Sequence, residues 1–263
     1  MGRAEHADGT AGAPPWTRGA RAVAVLTGAG ISTDSGIPDF RGPQGVWTKN
    51  PIAELTSTYQ NYVADPQLRA RSWLARRDNP AWTAEPNAGH RALVDLEGSG
   101  RSLRILTQNI DRLHQRAGSS ERKVLELHGN MFGVVCVSCD ARATMRETLD
   151  RVASGEPDPP CLTCGGILKS STIMFGQPLD EKVIGEAAIY AQNCAIFLAV
   201  GTSLTVYPVA GLCEIAVDAG ADLVIVNAEP TPFDGLATEV IRDPISEALP
   251  RLVSDLIARS EAG

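Results

Sequence analysis

Four of the six cysteines have the spacing of a zinc site. Cys136 and Cys139 form one C-x-x-C pair, Cys161 and Cys164 form a second, and 21 residues separate the two pairs. Each pair makes a tight turn that directs two sulfur atoms at one tetrahedral ion, and a closed four-cysteine site is normally structural. Buried thiols or a redox pair are the alternatives. The spacing favours one structural zinc ion with no open position for catalysis.

A glycine turn after an apolar run predicts a phosphate-binding loop. Residues 22–26 have the continuous apolar character of a strand covered on both faces, and Gly28, Ala29 and Gly30 follow at once. Such glycines let the backbone approach a pyrophosphate, whose charge is met by N–H groups at the start of the next helix. The dehydrogenase fingerprint is incomplete, because Thr33 stands where its third glycine belongs and the expected acidic residue does not follow. A dehydrogenase is therefore disfavoured.

Polar side chains follow the second and third predicted strands. Gln108, Asn109, Ile110 and Asp111 follow the second, and His128 ends the third. Because ligands collect at the carboxyl ends of strands in open parallel sheets, His128 should face Asn109 and Asp111 across a crevice. Histidine is the natural general base near neutral pH. The pattern indicates proton-transfer chemistry at this edge.

Two later strand ends complete the predicted ligand site. Gly201, Thr202 and Ser203 follow the fourth strand and suit phosphate, whereas Asn227 and Glu229 follow the fifth and suit ribose hydroxyls. Either group alone could be an ordinary helix cap. Their recurrence at successive strand ends favours one extended nucleotide ligand.

The remaining histidines and cysteines carry no predicted chemistry. His114 is expected to be an ordinary structural histidine, and His6 and His90 indicate no function. Cys194 and Cys213 are expected at a strand start and in a helix, as small core residues rather than nucleophiles.

The elements that would position these residues alternate along the chain. Strand-like runs occur at 22–26, 103–106, 124–127, 195–200 and 222–226, and helix-like segments at 91–97, 179–192, 208–219 and 244–259. This alternation predicts an α/β fold with a doubly wound, Rossmann-like parallel sheet. Residues 50–86 and 134–170 interrupt the alternation, so we expect a helical insert and a small zinc-ribbon module there. The remaining predicted divisions are a mobile tail over 1–21 and a large nucleotide-binding domain over 22–49, 87–133 and 171–260.

Composition limits the class of protein. The 263 residues are 43% hydrophobic, which is enough for one full core carrying a small insert. A net charge of −7 argues against a basic nucleic-acid surface or a polybasic membrane patch. The apolar runs are far shorter than the roughly 20 residues of a membrane helix, and the N-terminal stretch lacks the apolar segment of a signal peptide. We expect a soluble, cytoplasmic protein.

The motifs together resemble those of the sirtuins, the NAD-dependent protein-lysine deacylases, in their bacterial form. The resemblance covers about residues 22–256 and rests on GAGIS, SGIPDFRG, TQNID, ELHG, the paired C-x-x-C, IMFG, GTSL, VYP and NAE. It implies NAD-dependent removal of acyl groups, acetyl foremost, from protein lysine side chains, with release of nicotinamide and O-acyl-ADP-ribose. NAD would then be a consumed co-substrate. The alternatives are a mono-ADP-ribosyltransferase, a deacylase for longer or acidic acyl groups, and a non-catalytic NAD-binding or zinc-ribbon module.

The resemblance also implies residue roles. His128 would be the general base that activates a ribose hydroxyl, with Asn109 and Asp111 as further catalytic residues and Asp111 holding the nicotinamide carboxamide. Zinc would bind Cys136, Cys139, Cys161 and Cys164. The implied NAD contacts are Gly28, Ala29, Gly30, Ile31, Ser32, Asp39, Phe40, Arg41, Trp47, Gln108, Asn109, Ile110, Asp111, Gly201, Thr202, Ser203, Asn227, Glu229 and Ile245.

The segment after the glycine turn is expected to move. Pro38 should cut the first helix short, so that Asp39, Phe40 and Arg41 can order over bound NAD. Phe40 would shield the reactive ribose from water and from returning nicotinamide, and Arg41 would meet phosphate.

Substrate contacts follow from the same resemblance. Phe175 and Gly176 would border the acyl-lysine tunnel, with the peptide bound as an added strand. Gln177 stands where the family usually has glutamate. Arg76 could pair with an acidic acyl group, but Trp73 replaces the tyrosine of the Tyr-x-x-Arg pair, and a solvated helix face is the alternative for Arg76. We therefore expect an acetyl or another uncharged acyl substrate.

Overall fold

Two sheets organise the chain. The structure is a computed structural model that describes residues 14–17, 22–40, 42, 45–49 and 57–258. Its strands are β1 (Ala22–Thr27), β2 (Ser102–Thr107), β3 (Val124–Glu126), β4 (Gly133–Cys136), β5 (Arg142–Thr144), β6 (Leu168–Ser170), β7 (Ile196–Val200), β8 (Asp222–Val226) and β9 (Glu239–Ile241). A parallel six-stranded sheet has the order β3-β2-β1-β7-β8-β9, and an antiparallel sheet has the order β5-β4-β6. The predicted doubly wound α/β fold is confirmed.

Side-chain caps define where several helices begin. The helices are α1 (Val46–Lys49), α2 (Tyr59–Ala64), α3 (Pro66–Arg77), α4 (Ala88–Gly98), α5 (Leu113–Ala117), α6 (Met145–Ala153), α7 (Glu181–Gln192), α8 (Leu212–Asp218) and α9 (Ile245–Ala258). Asp65 accepts hydrogen bonds from two N–H groups at the start of α3, and Asp180 does the same for α7. Asn87 caps α4. These caps satisfy N–H groups that have no partner within the helix.

Helices cover both faces of the large sheet. Val23 and Val25 of β1 lie in one core cluster with residues of α4 and α9. Ala24 and Leu26 lie in the opposite cluster with residues of α7 and α8. Successive side chains of a strand point to opposite faces, so a strand buried on both faces is apolar throughout. This burial explains why the central strands were readable as continuous apolar runs.

The first helix after β1 is a short 3₁₀ helix, Ala29–Ser35. Gly36 follows it with φ of +83°, and its N–H donates to Ser32 O and Thr33 O. A glycine in the left-handed conformation is a common helix end because it has no Cβ to strain. The prediction that Pro38 cuts this helix short is wrong in its cause, since the helix ends at Gly36, before Pro38 is reached.

The helical segment after residue 57 packs against the cysteine-containing sheet. Trp73 of α3 is fully buried in one apolar cluster with Val134 and Met145. Tyr62 Oη donates to Leu168 O at 2.8 Å, and Arg69 pairs with Asp158 at 2.8 Å. The aromatic and arginine residues of this segment thus join it to the small sheet.

Among the described residues, none of the helices has the length and apolar character that a membrane crossing requires.

Candidate active site

The carboxyl ends of β1, β2 and β7 meet at one edge of the large sheet. Thr27 pairs in register with Thr107 and with Val200. The Gly30 N–H donates to Gly201 O at 2.9 Å, and Gly201 has φ of +62°. A Cβ added to Gly30 would lie 2.7 Å from Gly201 Cα. Glycine is therefore required at both positions because the two loops touch backbone to backbone.

Ser32, Asn109 and Asp111 form a hydrogen-bonded unit at this edge. Ser32 Oγ donates to Asp111 Oδ2 at 2.8 Å and accepts from Asn109 Nδ2 at 3.1 Å. Asn109 Nδ2 also donates to Gly28 O at 3.1 Å. The structure thus brings together three residues that the sequence placed after two different strands.

Asp111 is a buried carboxylate with capacity for further donors. Asp111 is only 5% exposed, and its Oδ1 accepts a hydrogen bond from the Leu113 N–H at 2.9 Å. Burial raises its pKa, while the hydrogen bonds from Leu113 and Ser32 act in the opposite direction. No lysine or arginine within the described residues forms an ion pair with it. A bound molecule that carries N–H or O–H donors, such as a carboxamide or ribose, fits this carboxylate.

His128 lies beside the same loop in a defined tautomer. Its Nδ1 is 3.1 Å from Gln108 O. Because a carbonyl oxygen can only accept, Nδ1 carries the proton and Nε2 keeps its lone pair. Burial lowers the pKa of His128, and the bond to Gln108 partly offsets that effect. The imidazole is therefore neutral near pH 7 and suited to act as a base. Its Nδ1 is thus bound to the backbone at the start of the loop that carries Asn109 and Asp111, and the expected position of the ring opposite those two side chains stays a prediction.

Gln108 and Ile110 tie this loop to its neighbours. Gln108 Nε2 donates to Thr202 Oγ1 at 2.9 Å, which joins the ends of β2 and β7. Ile110 O accepts from the Met131 N–H at 3.0 Å. Ser203 Oγ lies 2.9 Å from Thr205 Oγ1. These contacts hold the predicted phosphate turn against the loop that carries Asp111.

The turn after β8 is held by an arginine that the sequence did not reveal. Asn227 Nδ2 donates to Glu229 O at 2.8 Å, and Arg242 Nη1 donates to the carbonyl oxygens of Asn227 and Glu229 at 2.7 and 2.8 Å. Arg242 also pairs with Asp234. The Asn227 amide is thus engaged within its own turn, and the Glu229 side chain is exposed. Arg242 directly follows β9, outside every motif that the sequence analysis identified.

The far side of the 3₁₀ helix is braced by α4 and α9. Asn87 Nδ2 donates to Ile31 O at 2.7 Å and to Ser35 Oγ at 3.0 Å. Ile245, at the start of α9, packs against the core cluster that contains Ile31. Asn87 is a positioning residue for the glycine turn that the sequence analysis missed, because its partners are distant in sequence.

The loop after the 3₁₀ helix carries Asp39 and Phe40. Asp39 Oδ1 accepts from the Gly42 N–H at 3.0 Å, and the Val46 N–H donates to Asp39 O at 2.8 Å. Phe40 is 44% exposed. Arg41 and the side chain of Trp47 lie outside the described residues. A cavity of about 260 Å³ adjoins this loop, lined by Thr33, Gly36, Ile37, Pro38 and Asp39.

Phe175 and Gly176 lie at a strand-like edge, where Phe175 forms an isolated parallel bridge with Thr58. The Tyr59 N–H donates to Phe175 O, and the Phe175 N–H donates to Ser57 O, both at 2.9 Å. Phe175 is 39% exposed, and Gly176 has φ of +82°. Gln177 Oε1 accepts from the Met174 N–H at 3.0 Å. The segment 57–59 therefore occupies one side of this edge.

Arg76 lies against two aromatic rings, and no carboxylate of the described residues forms an ion pair with it. Its guanidinium carbon is 5.8 Å from the Tyr62 ring centroid and 5.5 Å from that of Trp73. Arg76 Nη1 donates to Ser72 O at 3.1 Å. Cation–π contact and the hydrogen bond give this arginine a place within the packing of α2 and α3.

The four cysteines form a site that fits zinc. Their sulfur atoms all lie within 4.8 Å of one another, with Cys136 and Cys164 at 3.5 Å and Cys139 and Cys161 at 3.8 Å. Four thiolates about 2.3 Å from a tetrahedral zinc ion are about 3.8 Å apart. The geometry supports one structural zinc ion with all four positions filled by protein.

Fold and site together define an α/β nucleotide-binding protein with a four-cysteine metal module. The sequence profile described as Sir2 family matches residues 28–208. This chain belongs to the Sir2 family.

Individual relatives match across most of the chain. NAD-dependent protein deacetylase 2 of Streptomyces coelicolor is 59% identical over 234 residues, covering 89% of this chain and 97% of that protein. NAD-dependent protein deacylase 2 of Archaeoglobus fulgidus is 41% identical, covering 88% of this chain and 90% of that protein. A solved complex of Sir2 with a p53 peptide and NAD⁺ has a TM-score of 0.80 at 36% identity, covering 91% of this chain and 95% of that one.

Proposed function

We propose that this chain removes acyl groups from protein lysine side chains in an NAD-dependent reaction, giving nicotinamide and O-acyl-ADP-ribose. The observation that carries the proposal is the neutral His128, held by Gln108 O beside the Ser32–Asn109–Asp111 unit. The names of the relatives, NAD-dependent protein deacetylase and deacylase, support it. So does a solved Sir2 complex with a deacetylated p53 peptide and 3′-O-acetyl ADP-ribose, which has a TM-score of 0.83 at 36% identity.

Each residue of the site has a physical task in this proposal. Asp111 accepts hydrogen bonds from the nicotinamide carboxamide, and burial strengthens that contact because little water competes for the carboxylate. Because Gly30 and Gly201 touch without side chains, the backbone can approach the pyrophosphate of NAD closely at this position. His128 Nε2 takes a proton from a ribose hydroxyl as general base, while Gln108 O fixes the ring orientation.

The outer contacts of NAD are also part of the proposal. Thr202 and Ser203 would lie along the phosphates, and the turn held by Arg242 would receive the adenosine ribose. Asp39, Phe40 and Arg41 would close over the reactive ribose. Ile245 would contact adenine from the start of α9.

The peptide substrate would bind at the edge formed by Phe175 and Gly176. Segment 57–59 pairs with this edge on one side, and an extended peptide would add as a strand in the same cleft. We propose an acetyl or another uncharged acyl group, because Arg76 contacts the rings of Tyr62 and Trp73 and donates to Ser72 O. A large domain and a small domain made of residues 50–86 and 134–170 would then enclose the substrates, and residues 50–56 of the small domain lie outside the described part of the chain. Cytoplasmic location stays a prediction.

A mass-spectrometric assay tests the function. Acetyl-, succinyl- and lipoyl-lysine peptides are incubated with and without NAD, and free lysine peptide, nicotinamide and O-acyl-ADP-ribose are measured. We expect NAD-dependent deacylation, fastest for acetyl-lysine. Dominant succinyl turnover would refute the acyl preference alone, whereas transfer of ADP-ribose to protein without deacylation would refute the function.

A matched pair of variants tests the base. His128→Asn retains a donor near the Nδ1 position for Gln108 O but has no basic nitrogen, so deacylation should fall by about a hundredfold or more. Lys182→Ala, on the exposed face of α7, should behave like the wild type. Wild-type rates in His128→Asn would remove His128 from its assigned role.

A further inference from the structure

Two threonine hydroxyls and two histidines lie buried beneath the site. Thr27 and Thr107, paired in register at the ends of β1 and β2, have hydroxyl oxygens 2.9 Å apart. Thr27 Oγ1 lies 3.0 Å from Nε2 of His114. The His90 and His114 rings are 5.0 Å apart, and all four residues are at most 3% exposed. None of these side chains has a task in the proposed chemistry.

The hydrogen bonds of this group run in one direction. Thr27 Oγ1 donates to Thr107 Oγ1, so the proton between Thr27 and His114 belongs to His114 Nε2. Thr107 Oγ1 also accepts from the Asn109 N–H at 3.1 Å. His114 is uncharged, since burial lowers its pKa to about 3. The path therefore runs from a neutral imidazole, through two hydroxyls, to the backbone of the Asn109 loop.

The second histidine fixes the opposite side of the site. His90 Nδ1 accepts from the Asn87 N–H at 3.3 Å, so its proton lies on Nε2. Asn87 in turn holds Ile31 O and Ser35 Oγ of the 3₁₀ helix. His90 Nε2 and His114 Nδ1 are buried and have no hydrogen-bond partner among the described residues. Such groups cost about 1–3 kcal/mol each, which apolar residues of similar size would avoid.

We propose that His114 is a positioning residue for the deacylation reaction, acting through Thr27 and Thr107 to hold the loop that carries Asn109 and Asp111. His114 Nε2–H orients the Thr27 hydroxyl toward Thr107, and Thr107 then keeps a lone pair aimed at the Asn109 N–H. Held in this place, Asn109 Nδ2 donates to Ser32 Oγ, and Ser32 Oγ donates to Asp111 Oδ2. The inference rests on the proposed function, because the loop matters for catalysis only if Asn109 and Asp111 act in it.

The tautomer of His114 tests the arrangement without any assay of activity. Long-range ¹⁵N–¹H correlation spectra of the full chain, with His114→Gln for assignment, should show the proton of His114 on Nε2 and that of His128 on Nδ1. The His114 signals should not titrate between about pH 5 and 8. A proton on His114 Nδ1, or titration in this range, would overturn the proposed path.

Matched threonine variants test the catalytic consequence. Thr107→Val keeps the shape but removes the hydroxyl, and Thr107→Ser keeps the hydroxyl. We expect Thr107→Val to lower kcat at saturating NAD and peptide by about tenfold, the effect of one hydrogen bond, and Thr107→Ser to restore at least half of the rate. His114→Leu should resemble Thr107→Val, and His114→Gln, which can still donate, should be partly rescued.

The outcomes separate this inference from the proposed function. If the wild-type chain releases no nicotinamide with acetyl-lysine peptide, the proposed function fails, while the tautomer measurement still decides the hydrogen-bond path. If the wild type is active and Thr107→Val has a lower melting temperature but unchanged kcat, the residues are structural and the positioning role is refuted.

Discussion

Ser32 and Asp111 lie 79 positions apart in the sequence, and Ser32 Oγ donates to Asp111 Oδ2 at 2.8 Å. The bond joins the glycine turn after β1 to the loop after β2. It also acts against burial, which alone would raise the pKa of Asp111 further. Ser32 therefore both orients the carboxylate and favours its ionised form.

Removal of the Ser32 hydroxyl should weaken NAD use. In Ser32→Ala, Asp111 loses a donor and Asn109 loses an acceptor, so kcat/KM for NAD should fall by about 10- to 100-fold, as expected for a hydrogen bond to a charged group. Thr33→Ala is the matched control, because Thr33 is exposed and, within the described part of the chain, its hydroxyl donates to Gly30 O of the same helix and to no other group. Steady-state kinetics with acetyl-lysine peptide measures both variants. Equal effects of the two substitutions would contradict the role of Ser32.

Gly30→Ala should disturb the glycine turn. The added Cβ would lie 2.7 Å from Gly201 Cα and 2.9 Å from Gly201 O, which are backbone atoms that cannot rotate away. We expect a loss of about 1–3 kcal/mol in the free energy of unfolding and a raised KM for NAD. Gly185→Ala in α7 meets nothing within 4 Å and should be neutral or stabilising by up to about 1 kcal/mol. Urea unfolding and NAD titration of both variants check this prediction.

The sequence predicts five of the six strands of the large sheet and misses one of its two edge strands. Each of the strands β1, β2, β7 and β8 has four or five buried residues. Because these residues are mostly apolar, the strands are visible in the sequence as apolar runs. Strand β9, Glu239–Ile241, was not predicted. It has three half-buried residues at the sheet edge, so it lacks both the length and the apolar run that mark a strand.

Sequence order predicts which loops meet, but not which atoms bond. Parallel strands bring their carboxyl ends together, so the proximity of Gly30, Asp111 and Gly201 could be expected from the strand pattern. Thr107 and His114 could not be singled out, because their partnership depends on the register of β1 with β2 and on how α5 packs over that face. Arg242 likewise acquires its role only when the loop after β9 folds beside β8.

Activity should fall on the acidic side only at a pH below the ordinary pKa of histidine. Burial lowers the pKa of His128 below its usual 6.5, and the neutral form is the base. Plotted against pH, kcat/KM should therefore be constant near neutrality and fall only as the pH drops through the lowered pKa. A midpoint above about 6.5 for the acidic limb would contradict the base assignment.

Loss of one cysteine of the cluster should release zinc. Cys139→Ser removes one of four thiolates, so metal analysis should give well below one zinc per chain, and amide exchange in β4, β5 and β6 should accelerate. Cys194→Ser is the matched control, because Cys194 lies outside the cluster. It should retain one zinc ion. Equal zinc content in the two variants would refute the four-cysteine site.

Stability should depend on pH through His90 and His114. Burial lowers their pKa values to about 4 and about 3, against 6.5 when unfolded, so below pH 6.5 the unfolded state binds more protons than the folded state. Their contribution to the free energy of unfolding is complete above about pH 6.5 and decreases as the pH falls toward about 4, by up to about 1.4 kcal/mol per pH unit for each histidine. The lowered pKa of His128 acts in the same direction, and the raised pKa of Asp111 acts against it.

Urea unfolding at about pH 7, 6 and 5 measures this dependence. The double variant His90→Asn and His114→Gln removes both groups and should show a clearly shallower decline between pH 6 and 5, whereas Lys182→Ala should keep the wild-type slope. The exposed carboxyls of Asp78 and Glu147, whose pKa values are lowered by hydrogen bonds, are unchanged in the double variant, so they contribute equally to both slopes and do not affect the comparison. An unchanged slope in the double variant would mean that the two histidines are not buried in their neutral form, which would also remove the basis for directional hydrogen bonding from His114 to Thr27.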